Sequence, residues 1–224
     1  MKGNIVGKKG FGNNDEQEKA RKLSPAEERR LERFEVSSEK MAEEGFRRTD
    51  LTVSIMEANK FALLLLIPLF LIGGGLFYLR HGWGMWEGIF TPFLRFMAYM
   101  VTFVVVHEAI HGLSWSLFCP NGFKGIQFGV MKQYLTPYCT CLVPLSKGAY
   151  IFGALMPLVI LGIVPMIAGI VTGDWSVELM GIIMADSAAG DIMIVRDILR
   201  YRSTAEEVVY IDHPTQAGGV IFER

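Results

Sequence analysis

The chain has 224 residues, of which 51% are hydrophobic, and its formal net charge is −1. No segment carries a one-sided excess of Lys and Arg, which excludes the strongly basic surfaces that bind nucleic acid. The charged residues are crowded into positions 1–60, whereas positions 61–200 are strongly apolar. This division is typical of a membrane protein with a polar N-terminal segment.

The N-terminal segment divides into two parts. Residues 1–22 are rich in Gly, Asn and Lys and poor in large apolar side chains, which predicts a disordered tail. The sequence SPAE at 24–27 predicts the start of a helix, with Ser as the cap, Pro at the first helical position and Glu completing a capping box. We therefore expect a charged helical segment over 23–58, in the cytoplasm or at the membrane surface.

Four apolar runs are long enough to cross a bilayer as helices. They cover residues 61–79, 93–118, 149–171 and 177–199. Lys and Arg concentrate before the first run, in the loop 119–148 and after the last run, so the positive-inside rule puts both termini and this loop in the cytoplasm. The sequence thus predicts an all-α membrane protein with about four transmembrane helices over 59–202 and a cytoplasmic C-terminal tail over 203–224.

The second run contains an HExxH motif, formed by His107, Glu108 and His111. On a helix, positions i and i+4 lie on one face, so both imidazoles can reach one zinc ion. The adjacent glutamate can then act as general base on a water molecule. Buried histidines with a hydrogen-bonded glutamate are the alternative, but ionisable groups inside a membrane are costly and usually mark a functional site.

A catalytic zinc usually has three protein ligands, so a third is expected at the depth of the histidines. The fourth run offers Asp186 and Asp191, which lie about 140° apart on a helix and cannot both face one point. The histidine pair lies about 14 Å from the cytoplasmic end of its run, Asp191 about 12 Å and Asp186 about 20 Å. Depth therefore favours Asp191, which could otherwise pair with Arg196, whereas Asp186 is a possible accessory acid that orients a histidine.

The loop 119–148 contains a short alternation in which Ile126, Phe128 and Val130 share one side. Residues 137–143 could return as a second strand, and the free edge of this hairpin could bind an extended substrate by strand addition. An amphipathic interfacial loop is the alternative, because short alternation is a weak signal.

Three cysteines and one late histidine are further candidates. Cys119, Cys139 and Cys141 would face the reducing cytoplasm, so thiols packed beside the site are favoured over a disulfide or a second metal site. His213 follows the last run and could return to the site as a ligand or donor, or remain an ordinary loop histidine.

Over roughly residues 40–222 the chain resembles the putative zincin peptidase family of bacterial membrane proteins. The resemblance lies in VVVHEAIHGLSW, TPYCTCLVPLSKGAYIFGALMPLVILGIVP, AAGDIMI and DHPTQAG, in this order. It implies a multi-span protein of the bacterial cell membrane with a zinc site and peptidase activity. More distantly the chain is similar to the site-2 proteases, whose later aspartate is typically followed by glycine; here Gly190 precedes Asp191 and Ile192 follows it.

The main hypothesis is a membrane-embedded zinc metalloprotease that cuts membrane proteins or peptides near the cytoplasmic face of the bilayer. Its zinc would be bound by His107, His111 and Asp191, with Glu108 as the general base. A non-proteolytic zinc-containing adaptor or assembly protein is the alternative, although a structural zinc site does not need Glu108. A transporter is less favoured because the chain shows no repeated halves.

Overall fold

The computed structural model of the protein describes residues 23–82, 90–131 and 136–224. The predicted disordered tail at 1–22 lies outside the described residues. Helices form most of the described chain, and two small antiparallel sheets complete it. In chain order the elements are α1 (Pro25–Glu43), β1 (Arg47–Thr52), α2 (Ile55–His81), α3 (Phe90–Ser116), a 3-10 turn (Gly122–Gly125), β2 (Ile126–Met131), β3 (Thr136–Cys141), α4 (Lys147–Pro157), a π-helical segment (Leu158–Ile163), α5 (Val164–Thr172), α6 (Trp175–Ser187), α7 (Ala189–Arg200), β4 (Val208–Asp212) and β5 (Gly218–Glu223).

Helix α1 begins as the sequence predicts. The Ser24 hydroxyl accepts a hydrogen bond from the backbone N–H of Glu27 at 3.4 Å, and the Glu27 carboxylate accepts one from the Ser24 N–H at 2.9 Å. Pro25 occupies the first turn, where the missing N–H has no helical partner to lose. The capping box therefore satisfies two donors that the helix start would leave unpaired.

The C-terminal residues form a three-stranded antiparallel sheet with the N-terminal segment, in the order β1-β5-β4. Every residue of the central strand β5 is buried, and Val220 and Phe222 pack against Phe34 of α1. The prediction of an all-α protein was wrong in omitting this sheet. Strands of five or six residues, buried by distant parts of the chain, carry little alternation that a sequence pattern could reveal.

Three helices are long and apolar enough to cross a membrane: Ile55–His81, Phe93–Ser116 and Lys147–Thr172. Their apolar side chains lie largely on the surface, as on α2, where Leu71 is 71% exposed and Leu79 is 80% exposed. Water would disfavour so continuous an apolar surface, and lipid would not. The fold is therefore consistent with a membrane protein.

The third of these helices is interrupted in the middle. Helix α4 ends at Pro157, a π-helical segment covers Leu158–Ile163, and α5 carries Pro165 in its first turn. Proline has no backbone N–H to donate, so the regular hydrogen-bond ladder changes near each of the two prolines. The third apolar helix is therefore divided into two α-helical parts, α4 and α5, by the π-helical segment.

The fourth predicted span, 177–199, is not one continuous helix. Helix α6 ends at Ser187 and α7 begins at Ala189, with Ala188 between them at φ −79° and ψ 9°. Within the described part of the chain, three rather than four single helices therefore have the length of a span. The break puts Asp191 in the first turn of α7, where the helix dipole favours a carboxylate.

Strands β2 and β3 form the predicted hairpin, with Ile126 opposite Cys141. The hairpin packs on α3 beside the HExxH motif. Ile126 and Phe128 lie against Gly112, where an added Cβ would overlap the Phe128 ring. The glycine that follows the second histidine therefore allows the sheet to approach the motif closely.

Candidate metal centre

Three side chains from two helices converge on one point. His107 and His111 lie one turn apart on α3, with 3.2 Å between their Nε2 atoms. Oδ2 of Asp191, on α7, lies 3.4 Å from Nε2 of His107 and 3.5 Å from Nε2 of His111. The histidines are buried, and among the described residues these three form a group that could hold a metal ion.

These separations fit a zinc ion. Zinc bonds to nitrogen and oxygen are about 2.0–2.1 Å, so two ligand atoms of a tetrahedral site lie about 3.3–3.4 Å apart. All three measured separations agree with that edge to within about 0.2 Å. Two imidazoles and one carboxylate occupy three tetrahedral positions and leave the fourth open, as in catalytic rather than structural zinc sites.

His111 is oriented by helix α4. Its Nδ1 lies 2.9 Å from the carbonyl oxygen of Gly153, so Nδ1 donates and Nε2 keeps a lone pair for a cation. The imidazole also stacks on Trp115, with ring centroids 5.1 Å apart and planes 16° apart. The indole Nε1 donates to the carbonyl oxygen of Tyr150 at 3.1 Å. An added Cβ on Gly153 would collide with this indole, so the glycine makes room for the stack.

Tyr150, whose carbonyl accepts the hydrogen bond from Trp115, also links helix α4 to the C-terminal sheet. Its hydroxyl donates to Oδ1 of Asp212 at 2.5 Å, and the backbone N–H of Cys141 donates to Oδ2 at 2.6 Å. Asp212 ends β4, so one carboxylate joins β4, β3 and α4. Burial raises the pKa of Asp212, while these two hydrogen bonds act in the opposite direction. Sequence reasoning missed Asp212; an acidic residue closing the apolar strand VVYID was the available signal.

Glu108 lies between the metal ligands and the hairpin. Its carboxylate interacts electrostatically with the ligand side chains and accepts a hydrogen bond from the backbone N–H of Cys139 on β3. The N–H groups of Cys139 and Cys141 therefore both point away from β2. The outer edge of β3 thus faces the candidate general base.

Asp186 and Asp191 are separated as the depth estimate suggested. Asp191 joins the histidines, whereas Asp186 lies on α6, and its buried Oδ1 has no hydrogen-bond partner within the described part of the chain. The alternative pairing of Asp191 with Arg196 is not observed, because the Arg196 Nε donates to Asp197 at 3.0 Å. An accessory role for Asp186 stays a prediction.

His213 lies in the turn between β4 and β5. Its Nδ1 accepts hydrogen bonds from the backbone N–H groups of Thr215 and Gln216, at 3.3 Å and 3.0 Å. Its ring centroid lies 6.5 Å from that of Phe34 on α1. These contacts stabilise the turn, and the accessory role predicted for His213 stays a prediction.

The three cysteines are free thiols beside the site. The sulfurs of Cys119 and Cys141 lie 3.5 Å apart, and both side chains are buried. Burial raises the pKa of the Cys139 and Cys141 thiols, and the nearby Asp212 carboxylate adds to both shifts. Within the described residues the cysteines do not join the metal-binding group, which agrees with packed thiols.

The substrate strand predicted from Ile126, Phe128 and Val130 lies on β2, the strand farther from Glu108. Phe128 and Val130 are exposed, at 48% and 58%. Because the edge facing Glu108 belongs to β3, the proposed substrate contact moves to that strand, and a role for the β2 side chains stays a prediction.

Residues 100–205 match the family model described as "Putative zincin peptidase". The match supports the resemblance of this part of the chain to that family. The matched segment contains the HExxH motif, the hairpin and Asp191, and Asp212 lies beyond it. No curated protein and no solved structure matched the chain. The family supports a zinc metallopeptidase, and the distant similarity to site-2 proteases stays a prediction.

Proposed function

We propose that this protein is a bacterial membrane zinc metallopeptidase that hydrolyses peptide bonds of membrane or juxtamembrane substrates near the cytoplasmic face. One observation carries the proposal: the ligand atoms of His107, His111 and Asp191 have the spacing of a three-ligand zinc site, with Glu108 beside them. The family of residues 100–205 supports the same chemistry.

The ligand residues and Glu108 divide the chemistry between them. A zinc ion, when bound, supplies Lewis-acid chemistry, which polarises a carbonyl oxygen and makes water more acidic. Glu108 takes the proton from the attacking water and passes it to the leaving amine. The Cys139 N–H holds the Glu108 carboxylate in place, and the Gly153 carbonyl holds the tautomer of His111.

The outer edge of β3 is the proposed substrate contact. Peptidases bind their substrates extended, and an extended chain can lie along a strand edge. The N–H groups of Cys139 and Cys141 on this edge already donate to Glu108 and Asp212, so the proposed contact does not use these two donors. On β3 the N–H of Cys139 points to Glu108, so a peptide aligned there would pass the general base. An extended peptide rises about 3.3 Å per residue. The peptide bond that lies beside Cys139 would therefore be next to Glu108 and the candidate metal ligands.

The strand pairings support a topology with both termini on one side of the bilayer. β1 precedes α2 in the chain and pairs with β5, so these two strands lie on the same side of the membrane. Asp212 at the end of β4 binds the backbone of β3, so the hairpin lies on that side as well. In this proposal an even number of crossings separates these elements, with α6 and α7 together forming a fourth crossing beside the three long apolar helices.

The test compares Glu108→Gln with the parent in the full-length protein. Metal analysis of the purified proteins measures bound zinc, and turnover of membrane proteins in cells measures cleavage. We expect unchanged zinc and a cleavage rate lowered by about 10²–10⁴-fold, the usual contribution of a general base. Glu57→Gln is the matched control, because Glu57 is exposed in the first turn of α2.

Two outcomes would reject the proposal. Cleavage by Glu108→Gln at the parental rate would remove its role as general base. X-ray absorption that shows four protein ligands on the zinc would instead favour a closed structural site, and with it the non-proteolytic adaptor.

A further inference from the structure

A cavity of about 490 Å³ lies between α1, the end of β3 and the turn after β4. Its volume falls in the range of pockets that bind small ligands or peptide side chains. Its apolar wall includes Phe34, Leu142 and Ile211. Its charged residues are the cations Arg30 and Arg33 and the acids Glu32 and Asp212. We call this space the Arg30 cavity.

Arg30 is a buried cation that has no carboxylate partner among the described residues. The residue is 7% exposed, and its guanidinium carbon lies 4.5 Å from the centroid of the Tyr138 ring. Its Nε donates to the carbonyl oxygen of Pro214. Arg30 forms no ion pair with any carboxylate in the part of the chain that the structure describes.

Neither acid at this cavity forms an ion pair with Arg30 among the described residues, since Glu32 makes no hydrogen bond with it and Asp212 is bound elsewhere. Both oxygens of Asp212 already accept hydrogen bonds, from the Tyr150 hydroxyl and the Cys141 N–H. A buried charge without a counter-ion is costly, and buried guanidinium groups are normally paired. The buried guanidinium of Arg30, rather than the cavity as a whole, is therefore complementary to an anion, and the apolar wall suits an anion carried by an apolar chain.

The cavity adjoins the proposed substrate strand. Thr140 lines it, and the residue before it on β3, Cys139, hydrogen-bonds Glu108 through its backbone. A strand rises about 3.3 Å per residue, so the cavity begins about one to three residues along β3 from the general base. A peptide that lies along the outer edge of β3 would project a side chain near Arg30, close to the cleaved bond.

We propose that the Arg30 cavity binds an aspartate or glutamate side chain of the substrate, within an otherwise apolar extended segment and a few residues from the cleaved bond. This inference rests on the proposed peptidase function and names the class of its substrate. The planar guanidinium of Arg30 binds the carboxylate, Arg33 at the rim adds a second positive charge, and the apolar wall takes the neighbouring residues.

The test measures binding without cleavage, in full-length zinc-loaded protein that carries Glu108→Gln. The probe is a fluorescein-labelled eight-residue peptide of Leu and Ile with one central Asp, and the matched peptide carries Asn there. Fluorescence anisotropy should show that the Asp peptide binds at least tenfold more tightly. Arg30→Gln should remove this preference, and Arg33→Gln should reduce it severalfold. Arg29→Gln, on the exposed face of α1, should leave it unchanged.

One further variant, Arg30→Lys, and the variant Arg33→Gln separate binding from folding. Arg30→Lys keeps the charge and should retain part of the preference. Arg33 is exposed, so Arg33→Gln tests the electrostatics without removing the contacts of Arg30 with Pro214 and Tyr138. Thermal unfolding of each variant shows whether the fold is intact, and equal melting temperatures with a lost preference would support the proposal.

The inference would be overturned if the Asp and Asn peptides bound equally, or if Arg29→Gln lost the preference as Arg30→Gln does. Phosphatidylglycerol vesicles that bind through Arg30, with no preference between the peptides, would assign the cavity to a lipid phosphate instead. These outcomes differ from failure of the proposed function, which would leave peptide binding intact while Glu108→Gln cleaved at the parental rate.

Discussion

Oδ2 of Asp191 lies 3.4 Å from Nε2 of His107, although the two residues belong to different helices. The close approach of these two side chains depends on α4, which packs against both α3 and α7. The same helix supplies the Gly153 carbonyl that orients His111. The candidate metal ligands are therefore held by a third helix that contributes none of the three.

Replacing Asp191 should remove the metal, whereas replacing Asp186 should not. Asp191→Ala leaves two imidazoles, and we expect its zinc affinity to fall by at least about 100-fold, since three protein ligands define such a site. Asp186→Ala is the comparison, because this carboxylate does not join the ligand group. Zinc titration against a chelator measures both. Full zinc occupancy in Asp191→Ala would exclude it as a ligand.

Zinc should stabilise the folded protein. A ligand that binds only the native state at 100 times its dissociation constant adds about 2.7 kcal/mol to the free energy of unfolding. For a chain of this length we expect the melting temperature to rise by about 5–10 °C when zinc is returned to chelator-treated protein. Glu108→Gln should keep this increase and His111→Ala should lose it. An increase that persists in His111→Ala would place the stabilising zinc elsewhere.

Gly153→Ala should weaken zinc binding without touching a ligand. The added Cβ would overlap the Trp115 indole that stacks on His111, and would disturb the hydrogen bond from Nδ1. Loss of such support typically lowers metal affinity about 10–100-fold. Gly148→Ala on the same helix is the matched control, because its Cβ would enter open space. Equal zinc affinities in the two variants would contradict the support by α4.

The Cys139 and Cys141 thiols should react slowly with alkylating reagents. Burial first, and then the Asp212 charge, raises their pKa, and only the thiolate is nucleophilic. At pH 8 we expect alkylation of these thiols at least about tenfold slower in the folded protein than after unfolding in detergent, where the pKa returns to about 8.5. Mass spectrometry resolves the rate at each cysteine, and equal folded and unfolded rates would contradict their burial.

The raised pKa of the Cys139 and Cys141 thiols also makes the free energy of unfolding depend on pH. Above about pH 8.5 the unfolded chain releases the thiol protons, while the folded protein retains them because the folded pKa is higher. The folded state then binds more protons than the unfolded state, so the free energy of unfolding should fall as pH rises. Replacing Cys139 and Cys141 by Ala should flatten this alkaline decline.

Local sequence rules were sufficient for half of the candidate site. The spacing of His107 and His111 puts their imidazoles on one face of any helix, and Glu108 follows from the same motif. The capping box that begins α1 is equally local. Asp191 was reached by counting depth along a helix, and the estimate held because the break at Ala188 precedes it.

The pairing of strands that are distant in the sequence could not be predicted from local sequence patterns. β5 is buried between strands that come from opposite ends of the chain, and neither its pairing with β1 nor the position of Asp212 has a local signature. The Arg30 cavity likewise forms only where α1, β3 and the turn after β4 meet.

By itself the sequence determined the apolar helices, the HExxH motif and the hairpin, because these depend on periodicity and on residue types close together in the chain. Depth counted along the sequence favoured Asp191, and the tertiary structure brings it to the histidines. Only the tertiary structure decided which strand edge faces Glu108, and that Gly153 and Trp115 support His111. Those contacts join residues distant in sequence, and packing rather than local preference selects them.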